Sequence, residues 1–350
     1  MAWEGIEGHD AIAERFVAAE AHGRVAGSYL FVGPPGVGKG AFALALGRSL
    51  TCQAPQPGLV ACGRCGSCVQ AQAGSHPDID VVRKPDERST IPIDLLIGDT
   101  AHRMREGLCW RILLRPSVGE RKVAVIMDAD HLDEAANCLL KTLEEPPLGA
   151  VIILVGTSIE RQLPTIRSRC QLIRFAPLPA EKVRLVLERE SHAADSPVDA
   201  ATLDACSRAA GGSLSRARLL LDPEITAFRG RLLEVLSRHP LHGVDLAREL
   251  IAFVDAAGKE APPRRARLRI VLESALEVFR AAATGAVGRA TGDPELARAA
   301  QAWTANVDAA LAAVDGTLDA LGYVDRNAHI SVVIDAWTAI LEEPRLARLS

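Results

Sequence analysis

Aromatic side chains are scarce in this chain. Trp, Tyr and Phe make up 4% of its 350 residues, although apolar residues reach 48% and alanine dominates the remainder. A composition so poor in aromatics and so rich in alanine favours helices and argues against an all-β sandwich. Charge of one sign is also lacking: 40 Lys and Arg against 44 Asp and Glu leave a net charge of −4. That excludes a strongly basic nucleic-acid coat as the main design, so any DNA contact must come from a local patch. No run approaches the roughly 18 consecutive apolar residues of a membrane span. The opening Met-Ala-Trp-Glu-Gly-Ile-Glu-Gly-His-Asp is acidic and lacks a basic segment followed by an apolar one, unlike a secretory signal. The expectation is a soluble cytoplasmic protein with no membrane partner. At about 150 residues per domain, the length suggests two or three domains, with a core that needs no disulfides.

What the chain does have is a cluster of cysteine. Of eight cysteines, Cys52, Cys62, Cys65 and Cys68 lie together, whereas Cys109, Cys138, Cys170 and Cys206 are scattered through apolar or helical surroundings. In a reducing compartment a tight cluster reads as metal ligation rather than as disulfides. Tetrahedral Zn²⁺ takes four thiolates at about 2.3 Å, and each Cys-x2-Cys turn delivers two of them from one short loop. Gly63 and Gly66 permit the sharp turns. Four thiolate ligands leave no open position, so the expected role is structural zinc. Two alternatives remain: four unligated thiols, or His76 replacing one cysteine, although His76 in His-Pro-Asp reads more naturally as a turn residue.

The first half alternates apolar runs with helical patterns. Strands are predicted at 28–32, 78–82, 122–128, 151–155 and 171–175, and their continuous apolar character suits parallel strands buried on both faces. Helices are predicted over 41–51, 92–108 and 134–143, the last stopping at Glu144-Glu145-Pro146-Pro147, where the prolines cannot continue it. This alternation implies a doubly wound α/β domain. Residues 83–90 read as a polar loop. Beyond Pro177-Leu178-Pro179 the strand signal ends. Residues 180–222 read as short helices broken at Gly211-Gly212. From 223 onward, patterns at 231–236, 244–255, 267–282 and 305–321 suggest an antiparallel helical bundle, with breakers at Pro262-Pro263 and Gly292-Asp293-Pro294. The expected domains are 1–178, α/β with the cysteine insertion at 52–68; 179–222, small and helical; and 223–350, a helical bundle.

Gly33-Pro34-Pro35-Gly36-Val37-Gly38-Lys39-Gly40 follows a predicted strand and precedes a helix, the context a phosphate-binding loop requires. Gly33, Gly36 and Gly38 let backbone N–H groups face an anion, the helix adds its positive end, and Lys39 would reach the outer phosphates. The motif normally ends in Ser or Thr, whose hydroxyl holds Mg²⁺. Gly40 stands there instead, so phosphate cradling is plausible while metal-assisted transfer is in doubt. A strand–helix turn that merely keeps the loop shape fits the same residues. Asp128 ends an apolar strand as a metal-orienting aspartate does, but Ala129 follows where an active ATPase carries an acid. Residues one apart along a strand face opposite sides, so Asp130 is not a simple positional replacement. Asp128 could equally cap the strand.

These motifs together resemble the clamp-loader branch of the AAA+ proteins. The resemblance is carried by Val25–Tyr29 leading into Gly33–Gly40, the four cysteines followed by His76-Pro77-Asp78, and the stretch from Ile126 through Pro147. It continues with Leu163-Pro164-Thr165-Ile166-Arg167-Ser168-Arg169-Cys170 and Gly211-Gly212-Ser213-Leu214-Ser215-Arg216-Ala217. Together these span roughly residues 20–220. The resemblance implies an AAA+ domain (P-loop, RecA-like) with a zinc-module insertion, a helical lid and a C-terminal collar that joins subunits into a ring. Ser168-Arg169-Cys170 is similar to the family's Ser-Arg-Cys motif, which implies that Arg169 is an arginine finger offered to a neighbouring subunit's ATP site. Pairing of Arg169 with an acid at a strand edge is the alternative. Thr157 and Ser158 match the sensor-1 region and Arg216 the sensor-2 arginine, which in a degenerate site would serve packing or a salt bridge. Implied partners are the other clamp-loader subunits and, through the complex, the sliding clamp and primed DNA, as part of a replicative DNA polymerase. Gly40 and Ala129 favour a stator-type subunit without ATPase activity of its own, holding no Mg²⁺ and of doubtful ATP or ADP binding. An active motor ATPase is the competing reading. A stand-alone zinc-bearing nucleic-acid binder is disfavoured by the net charge.

Two weaker features fit ordinary packing. Arg264, Arg265, Arg267 and Arg269 could face DNA, but a solvated helix face suits them better. Trp303 and Trp337 suit packing or a collar contact rather than base stacking.

Overall fold

The computed structural model describes residues 3–103, 105–133, 136–194, 197–238, 241–284 and 294–346. They divide into two compact units, Met1–Pro197 with Gly211–Ser215, and Val198–Ala210 with Arg216–Ser350. The segment 179–222, read from sequence as a separate small domain, is thus shared between the two.

The first unit carries α1 (Asp10–Ala21), β1 (Ser28–Val32), α2 (Lys39–Thr51), α3 (Gly66–Gln72), β2 (Ile79–Val82), α4 (Asp94–Ile97) and α5 (Leu108–Arg111). It continues with β3 (Lys122–Ile126), α6 (Ala136–Glu144), β4 (Ala150–Val155), α7 (Pro164–Arg167), β5 (Gln171–Arg174) and α8 (Ala180–Ala193). The five strands form one parallel sheet in the order β2-β3-β4-β1-β5. Alternate side chains feed two apolar clusters. Leu30, Val32, Ala124, Ile126, Ile152 and Leu154 meet Leu139 and Leu143 of α6. Tyr29, Phe31, Val123, Val125, Val151 and Ile153 meet Phe16 of α1 and Phe42 and Leu46 of α2. Both faces are therefore dry, which explains runs with no polar alternation. Each such fully buried Leu or Phe contributes about 1.5–3 kcal/mol.

Two sequence expectations need correction. The helix expected over 92–108 is instead two single turns, α4 and α5, separated by irregular chain. Gly98 and Gly107 both have φ of 84°, and a Cβ on Gly107 would meet the backbone nitrogens of Gly98 and Ile97 at 2.5 and 2.7 Å. Left-handed backbone at both ends ends helical hydrogen bonding whatever the apolar spacing. The breaker expected at Pro262-Pro263 starts a helix, because proline is tolerated in a first turn where its missing N–H has no partner to lose.

The second unit contains α9 (Ala200–Ala209) and most of α10 (Leu214–Leu220), then α11 (Pro223–Ser237), α12 (Gly243–Asp255), α13 (Ala261–Ala283), α14 (Pro294–Gln301), α15 (Val307–Asp325) and α16 (Ile330–Leu346). Of the breaker expected at 292–294, residues 292 and 293 lie outside the described residues, as do Glu134 and Ala135 of the helix expected to start there. α13 packs against α11, α12, α14 and α15, and α16 packs against α12 and α15. Trp303 and Trp337 are buried here, donating to Leu236 O and to Thr317 Oγ1, each at 2.9 Å. They are core residues with satisfied indole N–H groups.

Candidate functional site

In a parallel sheet, loops that follow strands gather at one edge, and ligands bind where neighbouring connections diverge. β1 lies between β4 and β5, and the chain leaves its end through residues 33–38 into α2. The ends of β3 and β4 bring residues 127–130 and 156–157 to the same edge. Gly33 N donates to Thr157 O at 3.1 Å, and Leu214 N donates to Gly36 O at 2.8 Å. His9 Nε2 donates to Val37 O at 2.7 Å. Burial pushes the His9 imidazole below its ordinary value. No motif in the sequence marks His9 as a residue of this loop.

Lys39 is 6% exposed. Its ammonium donates to Gly33 O and Pro34 O, each at 2.6 Å. Burial pushes its pKa down to about 8, partly opposed by the charge of Asp130. Asp130, rather than Asp128, is the acid that matters electrically to this lysine. Asp128 is exposed with φ of 55°, whereas Asp130 lies in the single 3-10 turn Ala129–His131. Its carboxylate accepts from Thr157 N at 2.8 Å, from Thr157 Oγ1 at 2.6 Å and from Gln162 Nε2. The expected sensor-1 threonine is thus tied to an acid that sequence reasoning set aside. Strand alternation did not apply, because β3 has already ended at Ile126. A Cβ on Gly40 would lie 3.1 Å from the Met127 sulfur and 3.2 Å from its methyl carbon. A side chain at position 40 would therefore crowd the end of Met127.

Arg169 stands at the other edge. β5 begins at Gln171 opposite Tyr29 and ends at Arg174 opposite Val32, where the phosphate loop starts. Arg169 lies in the turn that precedes β5, so at least the length of that strand, about 10 Å, separates its backbone level from that loop. Arg169 Nη1 donates to Thr165 O at 2.9 Å and to Ser168 Oγ at 3.2 Å, and Nη2 pairs with Glu144 Oε1 at 2.6 Å. The acid pairing considered from sequence therefore exists, with an acid at the end of a helix. Cys170 packs beside the core, and burial pushes its thiol up to about 12, which makes it an inert spacer. Arg216 lies in the second unit, buried, with its guanidinium paired to both oxygens of Glu277 and donating to Ser274 Oγ at 3.2 Å. The four arginines of the basic run are likewise engaged: Arg264 with Asp255, Arg265 with Asn327 O, Arg267 with Glu224 and Asp222, and Arg269 with Asp325.

The four clustered cysteines converge as expected. Their sulfurs all lie within 4.8 Å of one another. Cys52 to Cys68 is 3.5 Å, Cys62 to Cys68 3.9 Å and Cys52 to Cys65 4.0 Å. A tetrahedron with ~2.3 Å Zn–S bonds has edges of about 3.8 Å, so the donor set suits zinc. Backbone N–H groups of Cys62, Cys65 and Cys68 point at the sulfurs of Cys52, Cys62 and Cys65 at 3.3, 3.4 and 3.4 Å, stabilising thiolate charge. Burial opposes ionisation of Cys65, but these donors bring it to about 6, while burial and neighbouring thiols push Cys68 up to about 12. Thiols packed this closely ionise together only around a cation. His76 is not among them. Its Nδ1 accepts from Asp78 N at 3.0 Å and its Nε2 bonds Ser67 Oγ at 2.7 Å, while Ser67 donates to Thr51 O. Those partners fix a neutral Nε2–H tautomer. Glu4, unnoticed in the sequence, accepts from Ala61 N and pairs with Arg48, tying the cysteine loop to α2.

A family profile described as DNA polymerase III, delta subunit matches residues 8–179. DNA polymerase III subunit delta' of Escherichia coli (strain K12) is 38% identical over 178 residues, covering 51% of this chain and 50% of that protein. DNA polymerase III subunit gamma/tau of Mycobacterium tuberculosis is 34% identical over 242 residues, covering 67% of this chain and 40% of the relative. The chain thus spans about half or less of the length of these curated relatives. A gamma-subunit-related DNA polymerase III protein of Thermotoga maritima superposes at a TM-score of 0.40 with 17% identity, covering 97% of this chain and 100% of its own. Residues 8–179 thus match the DNA polymerase III delta-subunit profile, and over that stretch the chain is similar to the delta' subunit of the clamp loader.

Proposed function

We propose that this chain is a stator-type subunit of a DNA polymerase III clamp loader, lending Arg169 in trans to the ATP site of a neighbouring subunit. The observation that carries the reading is the placement of Arg169 at the sheet edge opposite its own phosphate loop. A guanidinium there can meet phosphate only on another chain. Its fixed planar charge suits the charge that develops in phosphoryl transfer. The loop edge supports the same division of labour. Position 40 offers no hydroxyl to Mg²⁺, Met127 would crowd a side chain there, Ala129 offers no carboxylate, and Asp130 is engaged with Thr157 and Gln162. The partners of this reading are a tau/gamma-type motor and a delta-type subunit, with the sliding clamp and primed DNA reached through the complex. Ring contacts through the C-terminal helices and a lid in 179–222 belong to it too. Cys52, Cys62, Cys65 and Cys68 hold a structural zinc in this reading, and no chemical step passes through it. The competing reading, a motor ATPase, is favoured by the longer stretch of similarity to gamma/tau.

DNA-stimulated ATP turnover separates the two. The isolated chain is expected to be silent, and turnover by the complex with its motor partner is expected to fall about 10²-fold or more with Arg169→Ala. Robust turnover by the isolated chain would overturn the stator reading.

A further inference from the structure

We infer that Glu144 is a positioning residue for Arg169, presetting the guanidinium before a neighbouring subunit's nucleotide arrives. The inference rests on the reading of Arg169 as an arginine finger. An arginine side chain on a surface is ordinarily a mobile one, and a finger is effective only if its donors are already placed when charge develops. Here three of the five guanidinium N–H groups are used internally: two on Nη1, by Thr165 O and Ser168 Oγ, and one on Nη2, by Glu144 Oε1. Thr165 and Ser168 belong to the turn that leads into Arg169 itself. Among the described residues, Glu144 is the one hydrogen-bond partner of Arg169 from a different element, and it sets the direction in which the fork lies.

Glu144 is itself on a fixed support. It is the last residue of α6, and the carbonyl of the preceding Leu143 accepts from Ser28 Oγ at 3.3 Å. The ring of Pro146 occupies the space a Cβ on Gly27 would take, docking the end of α6 onto the entry to β1. The carboxylate is therefore carried by the sheet rather than by a loose loop. Its side chain is 55% exposed against 26% for that of Arg169. So exposed a pair adds little to folding stability, and its effect belongs to orientation. If the carboxylate instead competed with phosphate for the guanidinium, its removal would speed turnover, so the two roles have opposite signs.

The test uses the complete loader assembled with the motor subunit from the same genome, its sliding clamp and primed DNA, and measures kcat and KM for ATP. Glu144→Ala is expected to lower kcat about five- to twentyfold, with KM changed less than about twofold. Glu144→Gln, which keeps an oxygen acceptor and the side-chain volume, is expected to retain most of the rate. In an Arg169→Ala background, Glu144→Ala is expected to have no further effect, because the two act as one unit. Unchanged or faster turnover by Glu144→Ala, or the same fractional loss with and without Arg169, overturns the inference. If Arg169→Ala costs nothing, the finger reading fails and this one with it. If Arg169→Ala is damaging and Glu144→Ala is silent, only this one fails. A thermal melt of each isolated variant separates orientation from unfolding, and Glu144→Gln keeps the test decisive should Glu144→Ala melt early.

Discussion

Gly40 sits one residue into a helix, where replacing glycine by alanine ordinarily gains about 0.5–1 kcal/mol. Met127 changes that expectation, because its sulfur stands 3.1 Å from where the new methyl would be. Gly40→Ala is expected to leave stability unchanged or lower it, as read by urea unfolding. A full gain would show that Met127 moves aside freely. Lys39 carries a pH signature. Its folded pKa is depressed from 10.5 to about 8 by burial, so between those values the unfolded chain binds more protons than the folded one, and stability contributed by this group rises with pH. Below about pH 8 the buried charge is retained and its cost is constant. The stability of wild type relative to Lys39→Met is thus expected to increase by on the order of 2 kcal/mol between about pH 7 and pH 10. A flat difference across that range would refute the buried, charged lysine. Gly40 and Ala129 were legible in the sequence, because a missing side chain can be read directly. Asp130 was not, because its orientation depends on where β3 stops, and a continuous apolar run does not mark its own last residue.

Elements differ in how openly they declare themselves. The four cysteines state their geometry by spacing, since Cys62-x2-Cys65-x2-Cys68 draws three thiols into one loop and Cys52 supplies the fourth. Chelation, or Cys65→Ser, is expected to remove one bound Zn²⁺ per chain by elemental analysis and to lower the melting temperature. Cobalt substitution is expected to give the intense d–d absorption of a tetrahedral thiolate site. Protein purified without metal and folded equally well would refute a structural ion. The run Arg264–Arg269 says little in sequence, because four arginines on one helix suit phosphate and carboxylate partners alike. In the fold they are ion-paired or hydrogen-bonded within the bundle, and Arg267 also lies 5.0 Å from the centre of the Phe253 ring. Arg267→Ala is expected to cost about 1–2 kcal/mol of stability in the bundle, with no change in the salt dependence of DNA binding by the loader. The α4–α5 region was the least legible, since its apolar spacing is helical and only the glycines at its ends break the pattern.

At the scale of the whole molecule, continuous apolar runs alternating with helices made a parallel α/β sheet legible in the sequence, whereas the order β2-β3-β4-β1-β5 is set by packing that no single run declares. The described residues divide into two units, and short helices broken by Gly211-Gly212 look alike in sequence whether they form a separate body or are shared. Hydrogen exchange gives a test at this scale. Removal of metal is expected to raise exchange around residues 48–78, where Glu4, Arg48 and Ala61 bind the cysteine loop to α2, and to leave α13 and α15 protected. Uniform loss of protection would mean that the two units unfold as one. The sheet has one further consequence, for inheritance. Arg169 and its supports occupy one edge of the strands and the phosphate loop the other, and they share no side chain. Mutations that erode the loop therefore carry no penalty at the arginine, and a subunit of this build can drift out of catalysis on one side while selection holds the other constant. Among orthologues, positions 40 and 129 are then free to vary together, while 144 and 168–170 stay fixed.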